Sequence, residues 1–370
     1  MQRRGEKGKG PGTAGKLALV FALVAAVVFL GGCGQKAAPP AGDSQGAGQP
    51  AKGQIVLKYA FFAAANTFPA RQMDKWAEEV EKRTGGKVKV QKYPGGSLLT
   101  AQNMFDGVLK GVADIGLSCP SYEPGRFPLT GISDQPVGYP NARVASLVLY
   151  DLLQEFRPEE LAGFKVITAF NTEPAYIQSK KPVRRLEDIA GLRLRTAGTG
   201  VPVLEALGGK PVGMSQADVA QALQTGVIDG YLSSREVLYD LKYAETTKYV
   251  TDFPLASVSF VAVMNKDVWN SLPPDVQQVI DGLGREMALW TGTYLDNHVK
   301  ESLAWAEKEQ GLQVISLPPE EKARWEAALQ GVTGKYVQEV EARGLPGREF
   351  LNRLLALKEK YAQEYRQEYR

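Results

Sequence analysis

Histidine is almost missing from this chain. His298 is the only one among 370 residues, so an HExxH zinc site, a histidine-bearing catalytic triad and a histidine-rich metal cluster are excluded. His298 itself falls mid-helix beside Tyr294 and Leu295 and reads as structural. Cysteine is nearly as scarce, with only Cys33 and Cys119 present, too few for a disulfide framework. Cys119 reads as a buried small hydrophobe. No Walker loop occurs, and Gly198-Thr199-Gly200 lacks the later glycine of a dinucleotide fingerprint, because Val203 stands in that place. Neither sign of charge is in excess, since 44 Lys and Arg face 41 Asp and Glu. That balance gives no ground for a nucleic-acid partner. Some pair among the carboxylates has the chemistry for a hydrolase, yet no spacing nominates one. No catalytic residue, cofactor or metal site is expected.

Long hydrophobic runs are lacking too. The longest, Leu17 to Leu30, has 14 residues, where a bilayer span needs about 20. A basic flank (Arg3, Arg4, Lys7, Lys9, Lys16) and the small residues after it are the grammar of an export signal. Leu30-Gly31-Gly32-Cys33 resembles the bacterial lipobox. That resemblance implies a lipoprotein signal peptide over residues 1–32, cleaved before Cys33, whose sulfur and new amino terminus are acylated. Several acyl chains make a durable anchor, because each buried CH₂ contributes about 0.8 kcal/mol. Residues 1–32 carry five basic groups and one acid, so their loss takes the formal charge from +3 to −1. Residues 33–53 are almost all Gly, Ala, Pro, Gln, Ser and Lys and cannot bury a core. They read as a flexible linker reaching roughly 25 Å. The expected location is extracytoplasmic, lipid-anchored to the cell membrane on its periplasmic or outer-surface side.

The remaining 317 or so residues suit two lobes. Ile55 to Ala60 reads as a strand, and Thr67 with Pro69 starts a helix whose Met73, Trp76, Ala77 and Val80 share one face. Gly85-Gly86 ends it, Val88 and Val90 alternate in a second strand, and a helix from near Thr100 to Gly111 precedes a strand at Asp114–Leu117. Such alternation predicts α/β lobes with largely parallel sheets. Gly111-Val112-Ala113-Asp114 is echoed by Gly226-Val227-Ile228-Asp229, as though the same helix-to-strand corner occurs once per lobe. Pro273-Pro274 opens a long helix with Val276, Val279, Ile280, Leu283, Met287, Trp290 and Tyr294 on its buried side. A strand over Leu312–Leu317 and two helices starting near Pro318 and Arg348 complete the chain. The last helix is charged enough to read as mostly a solvated face.

The most informative stretch runs from Leu186 to Ser234. Leu192-Arg193-Leu194-Arg195 alternates as a strand, leucines on one face and arginines on the other. Arg195 lies at the carboxyl end, where open α/β sheets bind ligands, and an arginine there can grip a carboxylate through two parallel hydrogen bonds. Arg193 reads as a solvated side chain.

Three ordered blocks carry a family resemblance: Gly191-Leu-Arg-Leu-Arg-Thr196, Leu204-Glu-Ala-Leu-Gly-Gly-Lys-Pro-Val-Gly-Met214 and Ala222-Leu-Gln-Thr-Gly-Val-Ile-Asp-Gly230. With Val261–Trp269 and Leu272–Val276, they resemble the DctP-type solute receptors of tripartite ATP-independent periplasmic (TRAP) transporters, over about 290 residues from near Ile55 to near Arg343. The resemblance implies a two-lobed periplasmic-binding-protein-like α/β fold of type II character, with crossing strands and a long helix linking the lobes. It sets lobe I at 54–172 and 260–299, lobe II at 173–259 and 300–342, and a C-terminal helical extension at 343–370. It implies a receptor, not an enzyme, that closes on a small organic acid and delivers it to small and large integral-membrane permease subunits. The family's carboxylate-binding arginine falls on Arg195. Where much of the family has an Asn, this chain has Ser233, and where some branches add a second arginine it has Glu173-Pro174-Ala175-Tyr176. That departure argues against sialic-acid-like specificity.

Further wall candidates follow from position: Phe61, Phe62 and Asn66 after the first strand, Ser118, Ser121 and Tyr122 after the third, and Phe170, Asn171, Glu173 and Tyr176 near the first crossover. Met214, Tyr231, Arg235 and Glu236 complete the set. Three rivals keep the anchor and change the role: a sensory receptor feeding a membrane kinase, a lipid-anchored hydrolase, and an envelope scaffold with no small ligand.

Overall fold

Leu57, Tyr59 and Phe61 put one face of β1 (Ile55–Phe61) into a fully buried core. The computed structural model describes residues 53–366, so Cys33, the leader and the linker as far as Lys52 lie outside the described residues. From β1 the chain runs through α1 (Phe68–Arg83), β2 (Val88–Tyr93), α2 (Met104–Leu109), β3 (Ile115–Ser118), α3 (Ala142–Phe156) and β4 (Phe164–Asn171). Pro69 starts α1, and Met73, Trp76, Ala77 and Val80 are buried on one side of it, where Trp76 meets Tyr59 edge-on at 5.5 Å. α2 is shorter than its sequence suggests: Asn103 turns back to accept from the Thr100 amide, and helix begins only at Met104.

The chain then crosses into a second sheet. It continues as β5 (Tyr176–Ser179), α4 (Leu186–Ile189), β6 (Arg193–Thr196), α5 (Val201–Ala206), β7 (Lys210–Gly213), α6 (Val219–Gln224), β8 (Gly230–Ser233), α7 (Val237–Asp240) and β9 (Tyr249–Thr251). It returns through β10 (Ser259–Asn265) and α8 (Lys266–Ser271) to the 37-residue α9 (Pro274–Gln310), then β11 (Gln313–Ile315), α10 (Pro319–Leu329), α11 (Val332–Glu341) and α12 (Gly347–Glu364). The first sheet has the order β2-β1-β3-β10-β4 and the second β11-β9-β5-β8-β6-β7. Each lobe therefore takes a strand or helix from both halves of the sequence, and the proposed lobe border at residues 299 and 300 falls inside α9.

Largely parallel sheets are not what forms. β1 pairs in parallel with β2 and β3, but β10 enters antiparallel between β3 and β4. In the second sheet β6 runs parallel to β7 and β8, while β5 lies antiparallel to both β8 and β9. The antiparallel pairs all involve β5 or β10, the two strands at the crossings between the sheets, whereas β11 joins β9 in parallel. The C-terminal region also departs from expectation. α11 is a third helix there, opened by Gly331 in the left-handed region. α12 is mostly solvated, as its charge suggests, but it also has a buried stripe: Phe350, Leu354, Leu357 and Tyr361 lie in a core shared with Val144, Val148 and Leu152 of α3. Each such apolar side chain contributes about 1.5–3 kcal/mol when buried. Among the described residues no helix is long and apolar enough to cross a membrane.

Candidate functional site

Arg195 occupies the third position of β6, paired with Val212 of β7 on one side and Tyr231 of β8 on the other. Leu194 anchors the strand in the core, so its neighbour projects at the sheet's carboxyl edge. The guanidinium is held on several sides. Nε and Nη2 donate to the Met214 carbonyl at 3.0 and 2.8 Å, Nη1 to Gln216 Oε1 at 2.7 Å, and Nη2 to the Tyr122 hydroxyl at 3.1 Å. Every one of those acceptors is a neutral oxygen, and Arg195 is only 2% exposed. A buried cation surrounded by neutral acceptors is costly unless an anion joins it. Arg193, two residues earlier, is exposed and forms a forked pair with Asp229 at 3.0 Å on each arm, as a solvated side chain does.

Facing Arg195 is the edge of the first sheet. Tyr122, on the turn after β3, accepts from both Arg195 and the Gln216 amide, the latter at 3.1 Å; burial raises its pKa. Phe62 lies edge-on to Tyr122 at 5.3 Å and parallel to Phe260 at 6.5 Å. Phe68, at the start of α1, packs edge-on against Phe260 at 5.7 Å. The result is an aromatic wall opposite a single cation. Together the two edges line a narrow cavity of about 50 Å³. A larger cleft bordered by Phe253, Pro254, Lys322 and Glu326 has no buried charge, so volume does not choose the site.

Two carboxyl groups complete the cavity. Glu236, just before α7, accepts from Ser234 Oγ at 2.9 Å. Burial pushes its pKa up to about 8, with the nearby Asp240 and Glu173 carboxylates adding to the rise. Asp240, at the end of α7, accepts from the Phe68 amide at 3.1 Å and pairs with His298 at 2.6 Å. Asp240 thereby ties the second lobe to α1 and α9.

Of the residues nominated from sequence, Arg195, Ser233, Glu236, Phe61 and Tyr122 line this cavity, as does Phe62. The others are placed differently. Met214 offers its carbonyl to Arg195. Phe170 lies behind the wall, stacked on Phe260 at 5.3 Å. Asn171, Ser118 and Tyr231 are fully buried, spending their polar groups on Ser133, Ala101, Gln178 and Thr247. Asn66 is exposed and donates to the Asp240 carbonyl. Glu173, Tyr176 and Arg235 border a separate cavity beside α9 and α12. There Arg235 pairs with Glu173 at 2.7 Å and lies 3.9 Å over the Tyr176 ring; burial raises the Glu173 pKa despite that partner. Sequence reasoning missed Phe68, Gln216, Ser234, Asp240 and Phe260. Among the described residues no cluster of His, Cys, Asp and Glu is suited to hold a metal ion.

The family model "Bacterial extracellular solute-binding protein, family 7" (DctP) matches residues 59–339. A TRAP periplasmic solute-binding protein from Desulfovibrio salexigens is 43% identical, with a TM-score of 0.75 over 83% of this chain and 97% of that one. A TRAP solute-binding protein from Rhodoferax ferrireducens, crystallised with copurified benzoate, is 27% identical, with a TM-score of 0.79 over 84% and 99%. The C4-dicarboxylate-binding protein DctB of Bacillus subtilis is 25% identical over 92% of this chain and 97% of its own length.

Proposed function

This chain belongs to the bacterial extracellular solute-binding proteins of family 7, the DctP-type receptors of TRAP transporters, and from that premise we propose that it captures a small monocarboxylate with an apolar, aromatic-sized body. It is a binding protein, not an enzyme. One observation carries the ligand class: the cavity has a single cation, Arg195, and that cation is buried among neutral oxygens opposite Phe62, Phe68 and Phe260. One guanidinium matches one carboxylate. Of the two ligand chemistries given above, benzoate fits this charge count and wall better than a C4-dicarboxylate does.

Capture proceeds by hinge closure. The cation sits on one lobe and the aromatic wall on the other, so a ligand touching both has higher affinity for the closed pair and stabilises it. Closure excludes water and strengthens the ion pair. Nε and one Nη2 hydrogen serve Met214, the other Nη2 hydrogen Tyr122 and one Nη1 hydrogen Gln216, so the first ligand oxygen takes the remaining Nη1 hydrogen and the second displaces Tyr122 from Nη2. Anchoring through an acylated Cys33 and delivery to separate small and large membrane subunits complete the proposal. Both rest on the lipobox and on family membership.

Calorimetry with benzoate tests the reading. Arg195→Ala leaves a desolvated carboxylate unpaired, and truncating one member of such a pair costs 2–5 kcal/mol, or roughly 30- to 5000-fold in affinity. Arg195→Lys binds poorly as well, because an ammonium cannot reproduce the planar fork. Arg193→Ala changes little. Wild-type affinity in a folded Arg195→Ala protein would put the carboxylate anchor elsewhere.

A further inference from the structure

Besides Arg195 the cavity holds two carboxyl groups whose circumstances differ. Asp240 has both oxygens engaged, one with His298 and one with the Phe68 amide. Glu236 does not. It is 3% exposed, its Oε1 accepts from Ser234, and its Oε2 is buried with no hydrogen-bond partner among the described residues. An ionised carboxylate left in that state carries the full cost of burial. A carboxylic acid avoids it and presents an O–H. The surrounding charges agree. Asp240 from α7 and Glu173 from the segment after β4 repel a negative charge on Glu236. Two basic neighbours are committed, His298 of α9 to Asp240 and Arg235 to Glu173, and the buried Tyr231 of β8 stays neutral.

We propose that Glu236 is a specificity residue: its protonated carboxyl donates a hydrogen bond to a neutral acceptor oxygen of the ligand, so the receptor prefers carboxylates bearing a hydroxyl or carbonyl over dicarboxylates. The inference rests on Arg195 as the carboxylate anchor. A second ligand carboxylate would meet Glu236 and Asp240 with no second cation lining the cavity, whereas a carbonyl oxygen supplies the partner that Oε2 lacks. Burial holds the Glu236 pKa at about 8, so the donor is present at neutral pH. It is lost as pH rises through that value, by about tenfold per unit beyond it.

A meta-substituted series on the purified protein tests this: benzoate, 3-formylbenzoate, which adds only an acceptor, and isophthalate, which adds a second carboxylate. At neutral pH 3-formylbenzoate binds about tenfold tighter than benzoate, and isophthalate roughly tenfold weaker or worse. The formyl advantage disappears by about pH 9. In Glu236→Gln, whose amide still donates, the advantage persists and no longer depends on pH. In Glu236→Leu it is lost, with thermal melts reporting that the variant folds. A formyl-to-benzoate ratio that is the same in all three proteins, or indifferent to pH, overturns the assignment while leaving Arg195 in place. If no member of the series shows Arg195-dependent binding, both readings fall.

Discussion

In the first lobe, α2 stops at Gly111 (φ 73°) and the chain enters β3 through Asp114, whose carboxylate accepts from the Lys58 amide at 2.7 Å while its own amide donates to the Lys58 carbonyl. In the second, α6 stops at Gly226 (φ 69°), and Asp229 makes the same pair of bonds to the amide and carbonyl of Arg193, at 3.0 and 2.8 Å. The two Gly-Val-x-Asp corners are one device used twice. Each ties the start of one strand to the neighbouring strand of its βαβ unit. At the other end of those strands the lobes diverge: β1 runs into Phe61 and Phe62, whereas β6 carries Arg195 and β8 leads to Glu236. Frame and chemistry are therefore separable. The corner fixes sheet geometry, and on the proposed reading the residues at or just past the far strand ends decide what is bound. With shape on one lobe and charge on the other, that reading expects neither lobe to bind well alone.

The sharpest way to break this equivalence is at the glycines after the two Asp residues. A Cβ on Gly230 would lie 2.4 Å from the Gln178 carbonyl oxygen and 2.9 Å from Ser179 Cα, so β8 and β5 would have to part. A Cβ on Gly116 meets only side-chain atoms, Val108 Cγ2 at 2.7 Å and Met104 Sδ at 2.9 Å, and a methionine can turn aside. Gly230→Ala is expected to cost about 3 kcal/mol, the upper range of overpacking, and Gly116→Ala about 1 kcal/mol. Denaturant midpoints at unchanged slope measure both. Equal losses would mean that the second sheet is no less forgiving than the first.

The lobes also meet where no ligand need be present. A Cβ on Gly198, just past β6, would lie 2.6 Å from the Ser121 carbonyl oxygen of the first lobe. Gly198→Ala should therefore leave stability nearly unchanged yet oppose closure, weakening benzoate roughly tenfold, a coupling of about 1.4 kcal/mol. Small-angle scattering at saturation would show a larger radius of gyration than wild type. Wild-type affinity and radius together would show that closure does not bring these backbones into contact.

How much of this was legible in the sequence follows from what is local. The alternation Leu192-Arg193-Leu194-Arg195 gives a strand with an arginine at its end, and strand ends likewise point to Phe61 and Glu236. Consecutive residues face opposite ways, however, so Arg235 turns to Tyr176 and Glu173 while its neighbour Glu236 faces the cavity. Nothing in the chain around position 235 says which of the two faces inward. Phe260 and Phe68 were invisible for another reason. Phe260 reaches the wall because β10 crosses back between β3 and β4, and sheet order is not encoded near residue 260. Phe68 reads as an ordinary first residue of a helix. In α11 the valines 332, 337 and 340 are too sparse in a polar run to announce a helix, and it forms against α12 and its neighbours.

The smallest effect tests the tie between lobes rather than their difference. The lone histidine is structural, as its mid-helix position suggests: His298 Nε2 meets Asp240 Oδ1, and Asp240 Oδ2 accepts from the first amide of α1. One carboxylate thus couples α7, α9 and α1. The groups facing the ring are Asp240, Glu301 at 3.6 Å from Nδ1, Glu236, Tyr294 and Tyr239. The hydrogen bond to Asp240 is the largest cause of a raised His298 pKa. A raised value in the folded state means that the stabilisation is fully present below the unfolded value of about 6.5 and is lost as pH rises through the folded value. Glu236 lowers stability in the same direction as pH rises from its ordinary 4.5 to about 8, so wild type alone cannot separate the two. The difference between His298 and His298→Gln can, when both are measured in a Glu236→Gln background, because Glu236 itself faces the ring. At about pH 6 that difference should be about 1 kcal/mol, the excess of a charge-assisted bond over the neutral one that Gln still donates, or roughly 2 °C in melting temperature for a chain of this size. It should shrink towards zero above the folded pKa of His298. A difference that stays constant across this range would mean that His298 acts as a neutral donor and that the tie does not respond to pH.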